Sequence, residues 1–457
     1  MNKKLLIFSV IITIIYALFT LNTLFHHETW ADEAQVWQLC KHLSLSQLIV
    51  HLQNEGHPIL FYLMVMPFAK VFNNIIFMQL ICWGFMCLSV FLLMYFAPFK
   101  LYTKLAIILS AGFLYFFPVI ARNYSIIPFL VFLAAILYYR TKQHPILYAF
   151  VLIFLANTHI IMFAFSLVLA FIFYWENIIK SIRNKNFDKI AIYILALLIM
   201  VLGFYAVLWE LSNTTNNNVF LEINLNNTFN AVLRILILFF LNAYNYDIYI
   251  NMSFPNAFLD IFLILIMVLS YILCWIALSI NNFKVFLIGF LSVLFQLTIY
   301  IIAYNSFVYV NRIFCAHLIL LFCFWILFSN KEFNKKCCFF SEKIINILLF
   351  VFFALTIFNG INYTKLDLKY NYTGAKETAE YIKANISPDN SLILIDNEPY
   401  MVSLAYYLSD SHKLYSVFRK KYLDYVIWDK TVKTNYADLG WSQYVSYLKK
   451  QNPKKEY

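Results

Sequence analysis

Charge is scarce in this chain. Asp, Glu, Lys and Arg make up 12% of its 457 residues, against about 25% in a soluble globular domain. With 63% hydrophobic residues and a mean hydropathy of +0.72, that shortage excludes a water-soluble enzyme and a disordered tail protein. Glycine is scarcer still. Its 8 residues are few for a transporter built of broken, closely packed helices. A disulfide framework is lacking too. The 8 cysteines are scattered, mostly inside apolar runs, with Cys40 in a polar loop and Cys337 and Cys338 in a basic one.

In place of charge there are apolar runs of roughly 20 residues, the length that crosses a bilayer as a helix. Such unbroken runs also exclude a porin-type barrel, whose strands alternate. The net charge of +11 is read by position and does not signal a nucleic-acid partner. The basic residues sit in short loops between runs, where they set topology. Lys3 and Lys4 precede the run Leu5–Leu24, which is too long for a typical signal peptide and lacks a small-residue cleavage site, so it is expected to be an uncleaved first span with a cytoplasmic N-terminus. Further basic clusters mark the inside: Lys100 and Lys104; Arg140 and Lys142; Lys180, Arg183, Lys185 and Lys189; Lys284; Lys331, Lys335, Lys336 and Lys343.

Alternation of crossings then predicts eleven spans, near 5–24, 76–97, 101–120, 125–140, 145–157, 160–175, 190–210, 256–280, 285–302, 313–329 and 344–360. The stretches Ile59–Phe72 and Leu233–Ile250 break the parity if both cross, and are read as interfacial or re-entrant pieces at the outer face. The fold class is therefore an all-α polytopic membrane domain, residues 1–360, with outer-face loops 25–57 and 211–231. A small extracytoplasmic α/β domain follows over 361–457, where the composition turns polar and Tyr-rich. Helices are expected at Thr373–Asn385 and Tyr400–Leu408, and strands at Leu392–Ile395, Lys413–Phe418 and Tyr425–Trp428.

Topology gathers the unusual polar residues on one face: Asp32, Glu33, His57, Arg122, Tyr124, His159 and Arg312. Asp32 and Glu33 lie beside Trp30, where partial desolvation would make a general base. The competing reading is a helix start, with a cap and a first-turn acid. His57, between Gly56 and Pro58, suits phosphate binding or the orientation of a carboxylate, or is simply satisfied at the interface. Arg122, in Ala121-Arg122-Asn123-Tyr124, and Arg312 suit a lipid phosphate through their planar forks, or snorkel from a span end. Two arginines on the outer face run against the positive-inside bias. His159 reads more simply as structural.

Taken together, Asp32-Glu33 after the first span, His57-Pro58 about 25 residues later, Ala121-Arg122-x-Tyr124 and the later Arg312 resemble the GT-C superfamily of integral-membrane glycosyltransferases. The likeness is to bacterial relatives of dolichyl-phosphate-mannose–protein mannosyltransferases and of aminoarabinose lipid A transferases, over roughly residues 1–330. Ile59 stands where many relatives carry a second Pro, and Asn157-Thr158-His159 where many carry a Lys after Thr. The resemblance implies a polyprenyl-phosphate-linked sugar donor, an extracytoplasmic glycan, glycolipid or protein acceptor, and inversion at the anomeric carbon. It also implies Asp32 as catalytic base and a bacterial inner-membrane location.

The chemistry fits such a reaction. Phosphate leaves without needing a strong acid, and arginine can neutralise it. No Asp-x-Asp stands in the first loop and no Cys/His zinc spacing occurs, so no cofactor is predicted. Two rivals share the outer face: a non-enzymatic lipid or glycan flippase, and an O-antigen polymerase or ligase. Asn213-Thr214-Thr215 and Asn226-Asn227-Thr228 match glycosylation acceptors, a short and common pattern.

Overall fold

The computed structural model describes residues 3–53, 55–138, 144–212, 239–241, 243–244, 256–303, 310–330, 340–389, 391–395, 398–409, 411–416, 419–428 and 450. Loop 211–231 beyond Ser212, most of 233–250, the two glycosylation-like triplets, Arg140, Lys142, Lys331, Lys335, Lys336, Cys337 and Cys338 lie outside these described residues.

The first helix, α1 (Lys3–His26), has 24 residues, about 36 Å at 1.5 Å per residue, enough for the roughly 30 Å hydrocarbon layer. It leaves Ile7, Ile11, Ile14 and Leu18 exposed, an apolar outer surface suited to lipid. Three short helices follow, α2 (Ala31–His42), α3 (Leu45–Leu52) and α4 (Leu60–Val71). Helix α4, 12 residues long, reaches only about 18 Å and packs against α2 and against α5 (Ile76–Phe96).

The next helix, α6 (Leu101–Leu109), stops at Ser110, whose backbone is extended, and the chain continues as a π-helical turn over Gly112–Phe116. Two of the few glycines sit here. A Cβ at Gly112 would overlap the Phe314 ring, and one at Gly360 would lie 2.9 Å from the Ala111 Cα. The break thus exists where neighbouring helices approach too closely for a side chain. A 3₁₀ turn at Asn123–Ile126 leads into α7 (Ile127–Tyr138), and α8 (Pro145–Ala156), α9 (Ile160–Arg183) and α10 (Phe187–Ser212) follow. The bundle closes with α11 (Ala257–Asn281), α12 (Phe283–Ala303), α13 (Val310–Ser329) and α14 (Glu342–Lys369). Helix α13 is buried along nearly its whole length and forms the core.

Among the described residues, eight helices (α1, α5 and α9–α14) are long and apolar enough to cross a membrane. With apolar side chains turned outward on most of them, the chain is a membrane-embedded helical protein. The three other expected spans are shorter helices, α6, α7 and α8. Each is cut at Ser110, Arg122 or Asn157-Thr158, and the latter two cuts build the site below.

The two ends of the bundle differ. One carries Lys100 paired with Glu342, Lys284 paired with Glu176, and the α9–α10 turn with Lys180, Arg183, Lys185 and Lys189. The other collects the end of α1, α2–α4, the starts of α7, α9 and α13 and the end of α14.

On that second end sits the small α/β domain. It comprises α15 (Ala375–Asn385), β1 (Ile393–Ile395), α16 (Glu398–Leu408), β2 (Leu414–Ser416) and β3 (Lys421–Leu423). Strands β1 and β2 are parallel, Ile393 opposite Leu414, joined by the α16 crossover; β3 pairs antiparallel to β2, Leu414 opposite Leu423. The strand expected at Tyr425–Trp428 is displaced to Lys421–Leu423. The backbone of 426–427 is instead taken by side chains: Gln35 exchanges two hydrogen bonds with Val426, at 2.8 and 2.9 Å, and Arg419 donates to the Ile427 carbonyl at 2.7 Å.

The domain docks through α16 on α2, with Ala34 inside its apolar cluster beside Val402 and Leu408. Glu28 accepts from the backbone N–H groups of Thr373, Gly374 and Lys376 at 2.7–2.9 Å. That carboxylate satisfies the orphan donors at the α15 N-terminus, and these hydrogen bonds outweigh partial burial to lower its pKa. Gly374, at φ +71°, supplies the left-handed residue that presents them.

Candidate functional site

The junction from α1 to α2, His27 to Glu33, feeds two clusters of buried charge. The first is closed. Glu33 is fully buried and accepts from Ala121 N at 2.6 Å, from Trp30 N at 3.1 Å and from His27 Nε2 at 3.1 Å. His27 Nδ1 lies 2.8 Å from Asp367 Oδ2, which also accepts the Tyr115 hydroxyl at 3.0 Å. Burial alone would discharge His27, but the charge of Glu33 and the hydrogen bonds it donates to Asp367 and Glu33 win and raise its pKa to about 10. An imidazolium held between two carboxylates ties α1, α2 and α14 together.

The second cluster is open. Asp32 Oδ2 pairs with Arg122 Nη1. Arg122 sits in the extended segment between the π and 3₁₀ turns, with 8% of its side chain exposed. Burial would lower its pKa, but the Asp32 carboxylate raises it, so the guanidinium stays charged. Its Nη2 lies 3.2 Å from His57 Nε2. Burial, then the charges of Arg122 and Arg312, hold His57 well below the usual imidazole range. A neutral His57 therefore accepts the Arg122 N–H at Nε2 and carries its proton on Nδ1. That Nδ1 is buried and has no hydrogen-bond partner among the described residues.

A second relay joins the same place. His159 caps α9, its Nδ1 accepting from Ile161 N at 3.2 Å. It is kept neutral by burial first, then by His57 and the two arginines. Nε2 therefore holds the proton, 2.8 Å from the Tyr124 oxygen, which also accepts from Arg312 Nε at 3.0 Å. Asn123 Nδ2 donates to the Thr158 carbonyl at 2.5 Å, fixing the α7 start against the α8–α9 corner.

Two cavities meet at the Asp32–Arg122 pair, and both residues line both. One, about 250 Å³, lies within the bundle end and is lined further by Arg312, Tyr124, Asn311 and the rings of Trp30, Phe116, Tyr363 and Tyr372. The other, about 320 Å³, lies between the bundle and the α/β domain, with Gln35, Glu55, His57, Tyr62, Pro399 and Trp428 on its walls. The first contains one carboxylate against two guanidinium groups; the second reverses this, with two carboxylates against one.

Six of the residues singled out from sequence, Asp32, His57, Arg122, Tyr124, His159 and Arg312, thus form one neighbourhood. Glu33 stands behind them, lines neither cavity and serves the start of α2. The helix-start alternative describes Glu33, at N3 of α2, while Asp32 faces Arg122. Arg122 does not snorkel, being buried among protein groups. Sequence reasoning passed over His27, Glu28, Asp367, Glu55 and Trp428. The available signal was the density of charge in His27-Glu28 and at Asp367, directly after spans in a charge-poor chain. Among the described residues, no group of three or more His, Cys, Asp or Glu side chains converges as a metal site.

Neither a family model, nor a curated protein, nor a solved structure matches this chain.

Proposed function

We propose that the chain is an inverting glycosyltransferase of the inner membrane, moving a sugar from a polyprenyl-phosphate carrier to an extracytoplasmic acceptor, with Asp32 as general base. The single observation supporting this reading is the position of Asp32 and Arg122 on the shared wall of two cavities of opposite charge balance. The positive cavity suits the donor phosphate, and its aromatic rings suit the sugar and the first isoprene units. The second cavity brings the acceptor hydroxyl to Asp32.

In the reaction, Asp32 takes the hydroxyl proton while the oxygen attacks the anomeric carbon from the side opposite the phosphate. The bond from that carbon to the phosphate oxygen breaks, and its electron pair leaves on the phosphate, where Arg122 and Arg312 neutralise it. Arrival of the donor gives Arg122 a second anion and loosens its hold on Asp32, making the carboxylate the better base when the donor is present. Neutral His57 holds the Arg122 fork in place, and the His159–Tyr124 relay does the same for Arg312.

The proposed topology has eleven crossings, with the N-terminus and lysine-rich end cytoplasmic and the α/β domain outside. The lysine pattern supports it. A flippase calls for ionisable groups along a mid-membrane path, whereas these charges cluster at helix ends.

The test is mass spectrometry of surface glycans and glycolipids from a deletion strain complemented with wild type or Asp32→Asn. One missing sugar, restored by wild type alone, is the expected result. An unchanged glycan profile in the deletion strain overturns the proposal.

A further inference from the structure

The cavity beneath the α/β domain bears on the acceptor, and the argument rests on the transferase reading above. Glu55 is the first feature. Its side chain is 5% exposed, and both of its hydrogen bonds, from Gln35 Nε2 at 2.8 Å and His51 Nε2 at 3.1 Å, fall on Oε1. Oε2 has no partner among the described residues, on a residue that lines the cavity. An unpaired oxygen of a largely buried carboxylate on a cavity wall is open to a ligand's donor.

Trp428 is the second feature. It is half-buried, lines the cavity, and is held by the segment that Gln35 and Arg419 pin in place. An indole face carries negative charge density and attracts polarised C–H groups and cations. Charge balance is the third. Two carboxylates against one guanidinium repel a phosphorylated group, whereas the neighbouring cavity attracts one.

We infer that this cavity is a saccharide-acceptor site for an uncharged or amino-bearing sugar ring, stacked on Trp428 with a hydroxyl or ammonium group on Glu55, and that it rejects phosphorylated acceptors. The acceptor is therefore a glycan and not the phosphorylated head of a glycolipid. Its reacting hydroxyl is presented to Asp32, which lies on the same wall.

The test measures binding directly, without turnover, on the full-length protein in detergent. The probes are the methyl glycosides of glucose, galactose and mannose, then glucosamine, then glucose 6-phosphate, read by saturation-transfer NMR and calorimetry. At least one methyl glycoside should bind, glucosamine more tightly than the methyl glucoside, and glucose 6-phosphate about tenfold more weakly. Glu55→Gln should abolish the advantage of glucosamine, a loss of roughly tenfold or more for a charge-assisted contact. Trp428→Leu, which keeps apolar bulk but not the ring face, should weaken every sugar. Glu55→Gln provides the second test if that variant does not fold.

Failure of all the sugars to bind, equal binding of glucose 6-phosphate, or indifference to both substitutions overturns the inference. Binding of polyprenyl phosphate to the wild type is measured separately. Its failure with sugar binding intact counts against the donor half of the transferase reading and leaves this site standing.

Discussion

The closed cluster around His27 and the open cluster around Arg122 share one short segment of chain, yet they are built on opposite terms. Around His27 both ring nitrogens and both Glu33 oxygens are hydrogen-bonded, Asp367 Oδ1 lacks a partner among the described residues, and Glu33 lines neither of the two cavities. Around Arg122, Asp32 has 45% of its side chain exposed, and His57 keeps an unpartnered nitrogen. Charge paired away from the two cavities holds parts in place; charge paired on a cavity wall is free to act on a ligand. Adjacent carboxylates in sequence, Asp32 and Glu33, thus fall on either side of that division.

Substitutions can break this contrast. The largest effect is expected at Asp32. Asp32→Asn should fold, bind donor and lose roughly 10²–10⁴ in turnover, measured with purified protein; near-normal turnover would remove the base from the mechanism. Next is Glu33→Gln, which leaves a buried imidazolium with one anionic partner. Breaking a buried pair costs about 3–5 kcal/mol, so thermal unfolding in detergent should shift far downward. An active, stable Glu33→Gln would erase the distinction between the clusters.

Arg122→Ala should weaken polyprenyl-phosphate binding by the roughly 1.5–3 kcal/mol of a charge-assisted contact, with Lys recovering only part because the fork is lost. Equal affinity in wild type and Ala variant would argue that the open cluster does not meet phosphate.

Stability against pH sharpens the comparison. The folded pKa of His27 is raised to about 10 from the ordinary 6.5, so its contribution is fully present below about pH 6.5 and lost as pH rises through 10. Melting temperature should fall over that window in the wild type, and less steeply in His27→Gln. The smallest effect is at the dock. Glu28→Gln weakens the α15 cap and should cost about 1 kcal/mol, read as faster proteolysis within the α/β domain with the bundle intact.

Much of the bundle was legible in the sequence because an apolar run long enough to span is a local property. The runs at 5–24, 76–97, 160–175 and 313–329 correspond to α1, α5, α9 and α13. The short helices α6 and α7 were harder, since their break depends on Gly112 meeting Phe314 and Gly360 meeting Ala111 across the fold. The strand at Lys421–Leu423 was missed because Tyr425–Trp428 has the better strand composition, but its backbone is engaged by Gln35 and Arg419. For the candidate site, topology alone grouped Asp32, His57, Arg122, Tyr124, His159 and Arg312. It could not separate Asp32 from Glu33, which differ only in what the rest of the chain places opposite them.

The sequence by itself determined that this protein is embedded in a membrane, where its long apolar runs lie, and which polar residues share one end of the bundle. Those follow from hydropathy, length and loop charge, each set by neighbours in the chain. Only the tertiary structure decided that His27 is clamped between Glu33 and Asp367, 340 positions away, and that Arg122 faces Asp32. It also decided that the α/β domain roofs a second cavity through Val402 and Trp428. These pairings are set by helix packing, and the charge left open at a cavity is whatever that packing does not satisfy.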